Sequence, residues 1–220
     1  MTLTSLMNII FDLGDVIIPI DLRAPLRNFA MLANQSEEAM EALWKKHGIW
    51  QQYETGLIDD ENFRQAVREL VRHETDAPDK WADELIDTAW NTVLLDLPVE
   101  RIDRIQALQG QHHGRPHRLF LLSNTNAIHI REVNRRLVSL GKPTLEELFE
   151  RVFYSHEVKL MKPNPGIYQH VLSEANLVAE ETVFLDDNRA NIDAAAALGI
   201  RAVHVVAPKT IIDYLAELGA

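Results

Sequence analysis

Five short apolar runs divide this chain: Ile9-Ile10-Phe11, Arg118–Leu122, Arg151–Tyr154, Thr182–Leu185 and Ala202–Val206. Near-continuous apolar runs of this length read as strands covered on both faces, the pattern of a parallel sheet. Stretches with helical spacing lie between them. Asp103–Leu108 precedes the second run, Ile128–Leu140 follows it, and Ile167–Ala175 precedes the fourth. Ile192–Leu198 follows the fourth and stops at Gly199, a C-terminal cap. Thr210–Leu218 reads as a final packing helix. Strands alternating with helices predict an α/β fold built on a doubly wound, parallel, Rossmann-like sheet.

One long stretch breaks the alternation. Between about Leu22 and Leu95 no strand pattern occurs, while Ala39/Leu43/Trp44, Phe63/Val67/Leu70/Val71 and Trp81/Leu85/Ala89/Trp90 each mark an amphipathic helix. All four tryptophans (Trp44, Trp50, Trp81, Trp90) fall here. The predicted organisation is a core of residues 1–20 and 96–220 with an inserted helical cap at 21–95. The tryptophans read as helix-packing core, with Trp50, beside Gly48 in an expected turn, placed to face a pocket.

Composition adds exclusions. The chain has 220 residues, is 46% hydrophobic and carries a net charge of −11. That length buries a core without disulfides or a structural metal. The acidic balance argues against nucleic acid and anionic membranes as partners, but a local cation still permits a small anionic substrate. With no cysteine, thiolate metal sites and Cys nucleophiles are excluded. The absence of a basic leader and of any run of about 18 apolar residues leads us to expect a cytoplasmic location. Oligomeric state is not legible.

Ligands of an open parallel sheet bind beyond the carboxyl ends of its strands. The first run ends in Asp12, the second in Ser123-Asn124-Thr125 and the fourth in Asp186-Asp187; Lys162 precedes Pro163-Asn164-Pro165 after the third. Converging carboxylates repel unless a cation lies between them, and an all-oxygen set suits Mg²⁺. Ser123 and Asn124 offer neutral donors, the following helix adds N–H groups at its N-terminus, and Lys162 supplies a positive charge. Pro165 fits a helix start with Asn164 as its N-cap. Together these make a phosphate site with an aspartate nucleophile.

Phe11-Asp12-Leu13-Gly14-Asp15-Val16, Leu122-Ser123-Asn124, Lys162-Pro163-Asn164-Pro165-Gly166-Ile167-Tyr168, and Phe184–Asn188 with Asn191 resemble the four motifs of the haloacid dehalogenase-like hydrolase superfamily. The helical insert sits where a C1-type cap sits in that family. Ser123-Asn124-Thr125-Asn126, Tyr168–Leu172 and Asp186-Asp187-Asn188 resemble, more narrowly, bacterial α-D-glucose-1-phosphate phosphatases. The resemblance implies a Mg²⁺-dependent phosphatase of a small phosphate monoester, such as a hexose 1-phosphate. Asp12 would become the aspartyl-phosphate. Asp12, the Gly14 carbonyl and Asp187 would hold the metal, with Asp186 as a neighbouring carboxylate. Ser123 and Asn124 would grip the phosphoryl group, Lys162 would neutralise it, and Asn188 and Asn191 would support the fourth-motif loop.

One position departs from the family. Many of its phosphatases carry a second aspartate two residues after the nucleophile, as general acid and base; here Gly14 stands there. Such help is worth about 10²–10⁴-fold, so either another group supplies it or the leaving group needs less. Asp15 is a candidate, although alternation along an extended chain turns it away unless the backbone bends. Gly14 also keeps two alternatives open: a 2-haloacid dehalogenase-type hydrolase, against which Asp186-Asp187 weighs, and a non-catalytic phosphate-binding regulator. His112, His113 and His117 read as a loop, and Arg131, Arg135 and Arg136 as a solvated face. Trp50, Tyr53 and Asp21 are unassigned cap candidates.

Overall fold

A computed structural model describes residues 7–72, 81–109 and 117–220; His112 and His113 lie outside them. The strands are β1 (Asn8–Phe11), β2 (Arg118–Ser123), β3 (Arg151–Tyr154), β4 (Thr182–Asp186) and β5 (Arg201–His204). They form a five-stranded sheet in the order β3-β2-β1-β4-β5, parallel at every pairing. β5 ends two residues earlier than its apolar run, although Val205 N still continues the ladder to the Asp186 carbonyl at 2.9 Å.

Side chains alternate across the strands and feed two cores. Ile9, Phe11, Leu121 and Leu185 face one side. There α6 (Val99–Leu108), α7 (Ala127–Ser139), α8 (Leu145–Leu148) and α12 (Ile211–Leu218) cover them. Ile10, Phe120, Leu122 and Phe184 face the other, under α10 (Pro165–Glu174) and α11 (Arg189–Ala196), while the short α9 (Ser155–Val158) follows β3 directly. Both faces are therefore apolar, which is why these strands show no polar alternation.

The insert holds more helix than its periodicity suggests. Its helices are α1 (Ala24–Leu32), α2 (Glu37–His47), α3 (Ile49–Glu54), α4 (Asp60–Val71) and α5 (Asp83–Trp90). They pack on a separate core containing Phe29, Trp44, Phe63 and Trp90. Trp44 stacks on Trp90 at 5.4 Å, and Trp50 meets the Trp90 ring edge-on at 5.0 Å. Trp81 lies before α5 rather than on it, and Leu85 is exposed. The expected turn at Gly48 is a single left-handed residue (φ 60°) that ends α2 and opens α3.

The chain enters and leaves this insert along one antiparallel bridge, Ile20 to Leu94. Asp21 N donates to Val93 O at 2.9 Å and Leu95 N to Pro19 O at 3.1 Å. Further contacts join the two parts. Arg131 on α7 pairs with Asp60 on α4 at 2.5 Å, and the Tyr53 hydroxyl donates to the same Asp60. Arg136 bonds the Leu94 and Leu95 carbonyls at 3.0 Å. Arg131 and Arg135 are exposed, as a solvated face requires, while Arg136 is half-buried; Arg131 and Arg136 nonetheless also tie the insert and its exit segment to α7. Among the described residues, Arg135 pairs with Glu132, three residues before it.

Candidate active site

Asp12 is the first residue beyond β1, and its N–H continues the ladder to Leu185 O at 2.9 Å. In register it stands level with Asp186, the last residue of β4. Lys162 Nζ lies between them, 2.7 Å from Asp12 Oδ1 and 2.7 Å from Asp186 Oδ2. All three are buried, Asp186 completely. Burial works against the lysine's charge, but the two carboxylates outweigh it and hold Lys162 above its ordinary pKa. Burial also pushes the Asp12 carboxyl up, with Asp186 adding to the rise and Lys162 opposing it.

Asp186 is fully engaged. Its Oδ1 accepts from Asn188 N at 2.8 Å, and Asn191 Nδ2 reaches Oδ1 and Oδ2 at 3.0 and 3.1 Å. Asn188 also caps α11 through Ala190 N. Asp187 is exposed by comparison, and its carboxyl is raised by burial and by the charges of Asp186 and Asp15. Carboxylate oxygens of Asp12, Asp186 and Asp187 lie within 4.8 Å of one another. Two raised carboxyls in an all-oxygen cluster are chemistry that a hard divalent cation fits. With Asp186 saturated by donors, Asp12 and Asp187 are the carboxylates left to hold one.

β2 delivers Ser123 to the same end of the sheet. Its hydroxyl is buried, and it reaches the Asn124 carbonyl only at 3.5 Å, so it is free to donate elsewhere. α7 starts after Asn126, whose side chain caps His129 N at 3.1 Å, and Ile128 N in its first turn donates to the Tyr53 hydroxyl at 3.3 Å. Asn124 behaves differently from expectation. Its Oδ1 accepts from Lys162 N and its Nδ2 donates to Lys162 O, both at 2.9 Å. The amide expected to grip phosphate is instead committed to the lysine loop. As expected, Asn164 caps α10, accepting from Gly166 N at 2.8 Å.

The loop after β1 decides the position of Asp15. It turns through a left-handed residue at Asp15 (φ 53°), and Asp15 Oδ1 accepts from Ile20 N at 3.0 Å. Asp15 therefore braces the loop. It faces a cleft shared with Asp187, His204 and Lys209. At Gly14, a Cβ would stand 2.9 Å from Ile20 Cδ1. Ile20 fills the room that a side chain there would need.

A cleft of about 630 Å³ runs between the insert and Met161, with Arg23, Lys45, Trp50 and Glu54 in its wall. A smaller cavity reaches inward from it to Gly14, Ser123 and Asn124, and Trp50 and Glu54 line both. Trp50 is thus at the mouth of a pocket as well as in the aromatic cluster. Tyr53 is core, stacked on Phe63 at 4.2 Å, and Asp21 binds Arg27 and Arg23 N at the start of α1. Glu54 was not singled out by sequence reasoning. It sits on α3, a helix too short for periodicity to reveal.

The haloacid dehalogenase-like hydrolase family model matches residues 6–199. D-ribitol-5-phosphate phosphatase of Bacteroides thetaiotaomicron is 26% identical over 212 residues, covering 96% of this chain and 96% of that protein. A haloacid dehalogenase family enzyme from Bacteroides thetaiotaomicron was solved as a complex with magnesium and inorganic phosphate. It superposes with a TM-score of 0.80 at 31% identity, over 93% of this chain and 96% of that one. A similar family hydrolase of Porphyromonas gingivalis gives a TM-score of 0.81 at 26% identity, over 97% of both chains.

Proposed function

Because the chain belongs to the haloacid dehalogenase-like hydrolases, we propose that it is a magnesium-dependent phosphatase of a small phosphorylated molecule, acting through an aspartyl-phosphate on Asp12. The observation that carries this reading is the placement of Lys162 Nζ 2.7 Å from both Asp12 and Asp186, with Asp187 beside them. A nucleophilic carboxylate, a fixed cation and a metal-type carboxylate pair meet at the carboxyl ends of the strands. That is what phosphoryl transfer needs, since it depends on positioning and charge stabilisation. A metal-free dehalogenase has no use for such a pair.

Asp12, the Gly14 carbonyl and Asp187 would hold magnesium, which when bound neutralises charge on the phosphoryl oxygens. Asp186, with Asn188 and Asn191 behind it, anchors Lys162. Lys162 faces the phosphoryl group, and Ser123 Oγ donates to one of its remaining oxygens. Asn124 keeps Lys162 in place through its backbone. Asp12 attacks phosphorus in line with the leaving oxygen, which points toward the cleft under the cap of residues 21–95.

A polyhydroxylated leaving group fits that cleft, where Trp50 offers an aromatic face and Arg23, Lys45 and Gln51 offer polar groups. Sugar and sugar-alcohol phosphates are therefore the substrate class, with hexose 1-phosphates and pentitol 5-phosphates as the leading candidates. The D-ribitol-5-phosphate phosphatase relative supports the second as much as the motif resemblance supports the first.

The test is phosphate release from p-nitrophenyl phosphate and a panel of these compounds, with EDTA and Asp12→Asn as controls. Turnover that both controls abolish upholds the reading. Turnover that survives Asp12→Asn overturns it, as does the absence of hydrolysis by folded, Mg²⁺-supplied protein.

A further inference from the structure

Resting on the phosphatase reading, we propose that Glu54, carried by the cap, is the general acid and base of this site, doing the work for which position 14 has no side chain. Gly14 offers only backbone and Ile20 occupies the adjacent space. Asp15 is held by Ile20 N and faces another cleft. Among the described residues, the inner cavity beside Gly14 and Ser123 has two titratable side chains in its wall, Glu54 and His129. The His129 ring stacks on Trp90 at 5.0 Å, and its Nδ1 lies 2.9 Å from Asn91 Oδ1. That leaves Glu54.

Glu54 stands where the leaving group has to pass. It is the one titratable residue lining both the inner cavity and the outer cleft, with Leu22 and Trp50 as its companions. A phosphate gripped at Ser123 places its ester oxygen toward that junction. Glu54 is also firmly placed for a residue on a cap. Its carbonyl lies 2.5 Å from Ser155 Oγ, and Ser155 in turn accepts from Thr125 N, beside the phosphate loop, at 2.9 Å. Lys159 Nζ donates to Gly56 O at 2.6 Å, two residues on. Trp50, one turn back on α3, lies beside the Glu54 carboxyl and favours its charged form. Burial, with the charge of Asp12 adding, pushes the Glu54 carboxyl up to about 7, so both protonation states are accessible near neutral pH.

The steps balance. Asp12 forms its bond to phosphorus as the ester P–O bond breaks, and the leaving oxygen takes the Glu54 proton. Glu54 carboxylate then takes a proton from water as that water attacks phosphorus and the Asp12–phosphorus bond breaks. An alcohol and inorganic phosphate leave, and Glu54 regains its proton.

The experiment compares Glu54→Gln and Glu54→Asp with the wild type, with Mg²⁺, on ribitol 5-phosphate and on p-nitrophenyl phosphate. Nitrophenolate leaves without a proton, so Glu54→Gln should still phosphorylate Asp12. It should release about one equivalent of nitrophenol in a burst and then turn over about 10²–10³-fold more slowly than wild type. Ribitol 5-phosphate should fall at least as far with no burst, and Glu54→Asp should recover part of both losses. Equal losses on the two substrates with no burst, or wild-type rates in Glu54→Gln, would overturn the assignment. If wild type itself turns over neither substrate, or Asp12→Asn remains active, it is the phosphatase reading that fails instead.

Discussion

The side-chain amide of Asn124 and the peptide group of Lys162 hydrogen-bond each other twice, 38 residues apart in sequence, with both bonds at 2.9 Å. The loop after β2 thereby fixes the height of the lysine between Asp12 and Asp186. Asn124→Ala removes both bonds and strands a buried N–H and carbonyl, at a cost of about 1–3 kcal/mol. Displacement of the ammonium by even 1 Å should lower kcat/KM about 10–100-fold. Thermal melts alongside steady-state kinetics check both. An effect on KM alone would mean the amide contacts substrate instead.

Metal binding should be visible without catalysis. Asp187 is the less buried member of the carboxylate cluster, and its carboxyl is raised by burial and by neighbouring negative charge. A cation that relieves this repulsion stabilises the folded state by mass action, about 2.7 kcal/mol at a hundredfold excess over Kd. Mg²⁺ should therefore raise the melting temperature of the wild type, and EDTA should reverse the shift. Asp187→Asn should abolish most of the shift. If Asp187→Asn shows the full wild-type shift, the ion sits elsewhere.

Cap seating should depend on one glycine. Gly56 has φ +62°, and a Cβ there would stand 2.0 Å from the His156 carbonyl oxygen. That oxygen is backbone and cannot step aside. Gly56→Ala should lift the end of α3, costing about 2 kcal/mol or more of stability and lowering kcat with it. Gly141 is the control, with φ +69° and nothing within 4 Å of its Cβ position. Gly141→Ala should cost only about 1–2 kcal/mol and leave turnover unchanged.

The contrast between Gly56 and the strands shows what a sequence carries in readable form. β1, β2 and β4 were legible because both faces are buried, and Asp12, Ser123 and Asp186 were legible because they stand where those runs end. Lys162 was legible from the prolines around it. α3 was not. It spans only Ile49–Glu54, too short to display a period, and it begins directly from the glycine that ends α2. Glu54 was hidden with it, since a glutamate two residues before a glycine carries no local sign of facing Ser123. The Asn124–Lys162 pairing was hidden for a different reason: it exists only once β2 and β3 lie side by side. Pro25 masked α1 similarly, because a proline in a helix's first turn reads as punctuation until the helix around it is seen.

Acid should weaken the junction between cap and core through His129. Burial, with the charge of Arg136 adding, holds this imidazole down to about 3, against an ordinary 6.5. The native state therefore keeps His129 neutral where the unfolded chain protonates it. A depressed folded pKa means stability is intact above pH 6.5 and falls as pH drops from there toward 3. The slope approaches about 1.4 kcal/mol per pH unit. By pH 5 the loss from this residue reaches about 2 kcal/mol relative to pH 8. His129→Gln cannot titrate, so its stability should decline less steeply between pH 8 and pH 5, whatever its starting value after losing the stack on Trp90. Urea titrations of both proteins at the two pH values give the difference of slopes. Parallel declines would mean that His129 is protonated in the native state and that its ring is not sealed beneath the cap.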